Sequence, residues 1–359
     1  MRSRPPEPAG RWTAALGRLL PLLAIAVLAC TSGAVLAVAG DTLGYDFRAY
    51  HAAASRVMAG QPLYDLSYTV AGPYGLFLYP PTFLPLALPF ALLPVGPATW
   101  AWIGTMLAAF AAGVRVMPVA ARTRWLVVLL AGLSWPFVYG LKLGQVGPLL
   151  FLAFAVGWRS LDRPRILGVA GAVGAAIKIQ PGIVLAWALA TRRWWAVAAG
   201  AAVLLVLAAA VTILTGFAAW GDFLSLIGRV NDPITTPHNF TPGAVAYQLG
   251  LTHDAAVAVQ WGSTALVLVA IAWAALRRPA VPSYLAVVVA SQLLSPVLWD
   301  HYAMLLLLPV AWLLDRGHRW AVLIPLATSL PLVQATPAAA YPLAFAVTLV
   351  ALLVVDADA

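Results

Sequence analysis

Residues 19–39 read LLPLLAIAVLACTSGAVLAVA, twenty-one residues without a charge. Wound as a helix at 1.5 Å per residue, the run is about 31 Å long, which matches the hydrocarbon core of a bilayer. Arg2, Arg4, Arg11 and Arg18 precede it, and the polar stretch YDFRAYHAAASRVMAGQPLYD follows at 45–65. Val27-Leu28-Ala29-Cys30 loosely resembles a lipoprotein cleavage site. Apolar sequence nevertheless continues past Cys30 to Ala39 and many further runs follow, so a plain first membrane helix is expected.

The same texture extends to the C-terminus. Of the 359 residues 63% are hydrophobic and 9% charged, and the mean hydropathy is +0.91. So few charges cannot clothe a water-facing surface, which excludes a set of soluble domains. The expected fold is an all-α polytopic membrane protein, one transmembrane domain over 1–359, with the lipid bilayer as its solvent. The net charge of +9 is then a matter of location and not a footprint for nucleic acid. A single cysteine excludes a disulfide framework and a thiolate metal cluster.

Loops rich in Lys and Arg stay in the cytoplasm, so basic residues mark topology. The N-terminal arginines, Arg115 with Arg122 and Arg124, the run Arg159–Arg165, Arg192-Arg193, Arg277-Arg278 and Asp315–Arg319 all fall on one side when the apolar runs alternate. The alternation gives about twelve crossings (ten to thirteen) with both termini cytoplasmic. The proline-rich region after Tyr79 must hold one crossing, the remainder being broken or re-entrant, because an even number would strand three arginines outside. On the outer face remain Arg48, Arg56, Lys142, Lys178 and Arg229, together with Asp41, Asp46, Asp65, Asp222, Asp232, Asp254 and Asp300. Ionisable groups near a membrane are costly and more often functional than decorative. No internal repeat stands out, which weakens a transporter built from inverted halves.

Four outer clusters carry the chemistry. In the first extracytoplasmic loop, 41–78, Asp46 and Tyr50 are four apart and share a face if the stretch is helical, with Gln61-Pro62 as its stop. That helix is too polar to span and is expected as an amphipathic element along the interface; local ion pairs in a solvated loop are the bland alternative. The second and third clusters, Gly140–Gly147 and Lys178-Ile-Gln180-Pro181, hold the only two lysines, each followed within three residues by a glutamine: Gln145 after Lys142, Gln180 after Lys178. A lysine at the outer end of a span suits a phosphate oxygen, unless it merely snorkels. The fourth is Ser295-Pro-Val-Leu-Trp-Asp300-His301-Tyr302, where Trp299 and Tyr302 read as interfacial aromatics but Asp300-His301 does not. A long outer loop, 217–253, adds Arg229, Asn231, Asp232, His238 and Asn239, for acceptor binding or for solvation.

There is no His-x-x-x-His, no Asp-x-Asp and no outer glutamate, so no spacing suggests a metal. No glycine-rich nucleotide loop is present either.

Asp46-Phe-Arg-Ala-Tyr50, Gly60-Gln-Pro-Leu-Tyr64-Asp65, Tyr79-Pro-Pro81, Gly144-Gln145, Lys178-Ile-Gln-Pro181 and Ser295-Pro with Trp299-Asp-His-Tyr302, in this order, resemble glycosyltransferase family 87 of the GT-C superfamily. That family includes mycobacterial polyprenol-phosphate-mannose-dependent α-1,2-mannosyltransferases. The resemblance implies a multi-pass plasma-membrane hexosyltransferase, a polyprenyl-phosphate sugar donor, a lipid or glycan acceptor and no cofactor. It implies a catalytic aspartate in the first outer loop, which maps onto Asp46, and a tryptophan-aspartate-histidine motif that maps onto Asp300 and His301. His51 departs from the family, which often has a second aromatic there.

On that reading Asp46 takes the acceptor proton. Lys178, Lys142, Arg48 and His301 are candidates to stabilise the departing phosphate, and Tyr50, Gln145, Gln180 and Asp300 to hold substrate. Two alternatives remain: a transporter or flippase using Asp46, Lys178 and His301 as a relay, and the same architecture with an arabinofuranosyl or glucosyl lipid.

Overall fold

The computed structural model describes residues 9–66, 75–229, 232–333 and 337–356. Arg2, Arg4 and Asn231 lie outside the described residues. Every regular element among the described residues is helical. In chain order these are α1 (Ala9–Ala37), α2 (Tyr45–Met58), α3 (Leu84–Ala87), α4 (Val95–Val116), α5 (Ala121–Leu133), α6 (Trp135–Leu143), α7 (Gly147–Arg159), α8 (Pro164–Ile177) and α9 (Ile183–Ala190). They continue as α10 (Trp194–Thr215), α11 (Ala218–Arg229), α12 (Pro242–Gln248), α13 (His253–Arg277), α14 (Ala280–Leu293), α15 (Leu307–Asp315), α16 (Leu323–Ser329) and α17 (Ala340–Val354). Short 3₁₀ turns at Pro81–Phe83, Leu88–Leu92, Gln180–Gly182, Pro233–Thr235, Tyr302–Leu306, Arg319–Val322 and Pro331–Val333 join several of them.

Among the described residues four helices are long and apolar enough to cross a bilayer alone: α1 from Leu19, α4, α10 and α13. α5 and α6 together make a fifth candidate, bent by 68°. The apolar run 125–139 is therefore broken at Ser134. Pro136 has no N–H for a helical bond and its ring excludes the carbonyl one turn back, so the helix must restart. Ser134 is extended there (φ −94°, ψ 111°), and the Trp135 N–H freed by the break donates to Ser329 Oγ at 3.0 Å. Eight further apolar helical stretches run 10–17 residues, among them Pro81–Leu92 in the proline-rich region ahead of α4.

The centre of the molecule is α14, buried from Pro282 through Leu293, and the stretch from Tyr302 to Leu313, buried throughout. Around them α8 packs on α10, α1 on α5, α4 on α7 and α12 on α13. The rim is apolar as well. Leu22, Leu205, Ile213 and Leu266 on α1, α10 and α13 stand exposed. A soluble protein rarely shows an apolar surface of that extent, whereas lipid tails solvate it without cost.

α2 forms because its apolar positions fall on one side. Phe47, Ala49, Tyr50, Ala53 and Ala54 are buried, and Phe47 stacks on Trp102 of α4 with centroids 5.1 Å apart. Its apolar face is thus covered by the protein's own aromatic side chains. The helix begins at Gly44, whose φ of 68° suits glycine and whose N–H donates to the Lys142 carbonyl at 2.8 Å. It ends at Met58, and Gly60 turns the chain with φ 72° ahead of Gln61-Pro62. Arg56 reaches Asp65 at 3.3 Å and the Pro62 carbonyl at 3.0 Å, a local tie that serves the loop.

Candidate active site

Asp46 in the first turn of α2 is partly buried, and its Oδ2 accepts a hydrogen bond from Gln145 Nε2 at 2.6 Å. Gln145 Oε1 in turn accepts from the Tyr79 hydroxyl at 3.1 Å, and the Tyr50 and Tyr79 hydroxyls meet at 2.7 Å. With its amide oxygen held by Tyr79, Gln145 presents its NH₂ to Asp46. Asp46 Oδ1 makes no hydrogen bond among the described residues. Gly75 lies against it, so that a Cβ there would stand 3.6 Å from Oδ1.

Gln145 is placed by the way α6 ends. The N–H of Gly144 bonds the Leu141 carbonyl at 3.1 Å and the N–H of Gln145 the Gly140 carbonyl at 2.9 Å, a Schellman close with Gly144 left-handed at φ 72°. A Cβ at 144 would lie 2.6 Å from the Phe47 Cβ, so glycine is required for space as well. Trp102 Nε1 donates to the Gly144 carbonyl at 2.7 Å, and the turn that carries Gln145 is thereby locked to α2 and α4.

Lys178 caps the C-terminal end of α8 in extended conformation, three residues before Pro181. Its ammonium donates to the Tyr302 hydroxyl at 2.9 Å and stands 4.2 Å from the Tyr302 ring centroid and 5.3 Å from that of Tyr79. Tyr79 therefore lies between Lys178 and the Gln145–Asp46 pair. Gln180 donates to Ser295 Oγ at 3.2 Å and so ties the Lys178 turn to the segment that carries Asp300 and His301.

That segment is fixed twice over. The Tyr341 hydroxyl sits 2.9 and 2.8 Å from the carbonyls of Trp299 and Asp300 and accepts the Ala303 N–H at 3.1 Å. Buried Asn239 holds it from the other side. Its Oδ1 accepts the N–H groups of Thr241 and Leu298, and its Nδ2 donates to the carbonyls of Pro233 and Pro296. His301 is buried with neither ring nitrogen hydrogen-bonded, since Nδ1 is 3.6 Å from Asp300 Oδ1 and out of bonding range. Buried polar groups without partners are uncommon and call for an explanation, strain, a catalytic role or a bound water or ion among them. The other oxygen of Asp300 is 3.9 Å from His238 Nδ1.

Burial raises the Asp46 carboxyl above its ordinary value, against the opposing pull of His301, the Gln145 amide and Lys178 and with a small push from Asp300. A carboxylate held this way is a better proton acceptor than one in water, and its neighbours keep it ionisable.

Asp46, Tyr50, Gln145, Lys178, Gln180, Asp300 and His301 are thus brought into one region. Arg48 and Lys142 are not part of it. Two residues on from Asp46 in α2, Arg48 lies about 200° around the helix, and its guanidinium makes no hydrogen bond or ion pair among the described residues. Lys142 places its ammonium 5.3 Å from the Tyr139 ring centroid, and what it gives the site is its backbone carbonyl, the acceptor for Gly44. Tyr302 is no belt residue, being buried and bonded to Lys178. Tyr79 was visible only as part of a Tyr-Pro-Pro motif, and nothing in its spacing announced a bridge between Gln145 and Tyr50. Of the residues singled out in 217–253, Asn239 is a structural clamp, and Asp232 caps Ile234 and pairs with His253. Among the described residues no three His, Cys, Asp or Glu side chains group as a metal centre would require.

The description of glycosyltransferase family 87 matches residues 77–309. It covers Gln145, Lys178 and Asp300-His301 and begins after Asp46, whose place in the site rests on geometry. A polyprenol-phosphate-mannose-dependent alpha-(1-2)-phosphatidylinositol pentamannoside mannosyltransferase of Mycolicibacterium smegmatis is 31% identical over 328 residues, 86% of this chain and 78% of that protein. The protein of the same description from Mycobacterium tuberculosis is 31% identical over 261 residues, 68% of this chain and 59% of its own length. No solved structure matches the chain. With the family description spanning more than half of its length, and the M. smegmatis relative aligned over most of it, the chain belongs to glycosyltransferase family 87 and is a membrane glycosyltransferase.

Proposed function

We propose that the chain moves a mannosyl group from a polyprenyl phosphate to a hydroxyl of a lipid-linked glycan on the outer face of the plasma membrane, with Asp46 as general base and without a metal. The observation that carries this reading is the convergence of Asp46–Gln145, Lys178 and His301 from four segments far apart in sequence. In the transfer the C1–O bond to the phosphate breaks, and its electron pair stays on the phosphate oxygen. The acceptor oxygen forms the new C1–O bond, and its proton passes to Asp46 Oδ1. Lys178, with Tyr302 behind it, takes the charge that grows on the phosphate, and His301 donates from a ring nitrogen that otherwise has no partner. Gln145 holds the carboxylate's second oxygen and thereby aims the first. A monophosphate leaving group carries less charge than a nucleoside diphosphate, so these side chains suffice.

The polyprenyl donor and a phosphatidylinositol mannoside acceptor are what the names of the two relatives state of those proteins. The apolar rim of α1, α10 and α13 supports a site reached from lipid. Seven of the eight shorter apolar stretches, all but the broken Pro81–Leu92, would supply the further crossings of a twelve-helix topology with both termini cytoplasmic, and α2 would sit as an amphipathic helix in the first outer loop, 41–78.

The test uses membranes containing the chain, given polyprenyl-phosphate mannose with labelled sugar and a phosphatidylinositol mannoside acceptor. Label should move to the acceptor from this donor, survive chelation, and not move from a nucleotide sugar. Transfer from an arabinofuranosyl or glucosyl lipid in place of the mannosyl lipid would reassign the sugar.

A further inference from the structure

Beside the transfer site lies a second feature that the proposed reaction does not use. The outer segment 234–248, the start of α6 and the turn at Pro331–Val333 enclose a cavity of about 480 Å³, within the range of small-ligand pockets, roughly 300–1,000 Å³. Trp135 and Tyr139, one turn apart on α6, lie along one wall with rings nearly parallel: centroids 5.7 Å apart and planes 15° from each other. Asp300, His238 and Gln248 supply the polar wall.

The walls are built in advance. Asn239 is bonded at all four of its sites, Thr241 caps α12 through the Ala244 N–H, and Gln248 Nε2 donates to the Asn239 carbonyl at 2.9 Å, which leaves its own carbonyl oxygen as an acceptor. His238 is held at φ 57°, a conformation that costs a non-glycine residue energy and persists only where the surroundings impose it.

We propose that this cavity binds a sugar residue of the acceptor glycan, the one next to the hydroxyl that receives the transferred group. The inference rests on the function proposed above. A pyranose ring has an apolar C–H face and a rim of hydroxyls. The paired rings of Trp135 and Tyr139 offer a flat apolar surface for the first, and Asp300 and the Gln248 carbonyl offer acceptors for the second. The charged group lining the wall is the Asp300 carboxylate, which disfavours the donor's phosphate; neither lysine lines the cavity, although the Lys142 ammonium stands 5.3 Å from the centroid of the Tyr139 ring. Position fits as well. α6 carries Tyr139 into the cavity, packs Gly140 against His301 and bonds Gly44 through the Lys142 carbonyl, so one short helix leads from the cavity to the start of α2, where Asp46 stands.

The test combines binding and kinetics on the full chain in detergent. The binding probe is a soluble α-linked mannose disaccharide, and the variants are Trp135→Leu, Gln248→Ala and His238→Gly. The last removes an exposed ring and relieves a positive φ, so it folds even if Trp135→Leu does not. The disaccharide should bind the unmodified chain and compete with acceptor. In the variants its affinity should fall, and the acceptor KM should rise about tenfold, with the donor KM held within about twofold. Unchanged disaccharide affinity and acceptor KM in all three variants would overturn the assignment, as would a rise in donor KM in place of acceptor KM. Absence of transfer from a lipid-linked donor by the unmodified chain removes the proposed function but not the cavity's ligand, which the disaccharide titration decides by itself.

Discussion

The Gln145 amide and the Asp46 carboxylate meet at 2.6 Å, though ninety-nine residues separate them in the chain. One carboxylate oxygen is held and the other accepts no hydrogen bond among the described residues, which is the arrangement a positioned proton acceptor needs. Asp46→Asn keeps the shape and removes the basicity. The variant is expected to insert and purify normally while transfer falls at least about a hundredfold, the low end of what a general base contributes. Asp41→Asn and Asp65→Asn should do far less, since Asp41 is exposed and Asp65 is occupied with Arg56. Near-normal transfer by Asp46→Asn with none by Asp300→Asn would move the base to the Trp299–Tyr302 segment.

The same pair sets a pH dependence. Burial raises the Asp46 carboxyl and the Gln145 amide partly offsets it. A base works deprotonated, so kcat/KM should fall as pH drops through a value above that of an ordinary carboxylate. Gln145→Leu takes away a lowering influence, and the acid limb should then shift to higher pH. An unmoved limb in that variant would mean that another group titrates.

Lys178→Ala should lose most transfer and raise the donor KM. Lys178→Arg should recover only part, because a planar fork does not place its charge where a compact ammonium does and because Tyr302 and Tyr79 leave it little room. Full activity in Lys178→Ala would leave the lysine with the two tyrosines alone.

Gly144→Ala tests the scaffold and not the chemistry. It forces a side chain into left-handed backbone and against Phe47. A loss of about 1–3 kcal/mol is expected, read as a lower unfolding temperature in detergent. Gly60→Ala, with the same sign of φ but open space around it, should cost less.

Orientation can be read with an impermeant thiol reagent on intact cells. Cys30 is exposed and is first replaced by Ser. A cysteine placed beside Asp46 should then react and one placed beside Arg277 should not. The reverse pattern would turn the molecule over and put the site on the wrong side of the membrane.

Much of this was legible in the sequence. The apolar runs declared a membrane protein because so little charge was left to face water, and α2 was readable from Asp46, Tyr50 and the Gln61-Pro62 stop. The lysine–glutamine pairs and Asp300-His301 were suspect because topology had no use for them; Gln145, Lys178, Gln180 and Asp300-His301 do come together, and Lys142 does not. What the sequence could not give was partnership. Lys142 and Lys178 look alike in one dimension, yet the first lies over a tyrosine on its own helix and the second enters the site, because α8 ends in an extended residue and α6 does not. Tyr79 showed only as part of a Tyr-Pro-Pro motif and Tyr302 as an interfacial aromatic, since hydroxyl partners 66 and 124 residues away leave no periodicity to detect. The break at Ser134 is signalled by Pro136, although a proline in a strong apolar run does not by itself tell a kink from a break.

The separation of the site's parts along the chain has a consequence for biogenesis. Synthesis delivers domains N-terminus first, so Asp46 emerges early, Gln145 and Lys178 follow, and His301 and Tyr302 arrive only when most of the chain has been threaded. Until then Lys178 lacks the hydroxyl it bonds and α14 has no neighbour in the Tyr302–Leu313 stretch. Until that stretch is in place the proposed site is incomplete, and no transfer is expected from it. A stop codon anywhere before Tyr302 should therefore yield an inactive product and not a weak enzyme, while supplying the missing C-terminal piece as a separate chain is the route by which activity returns.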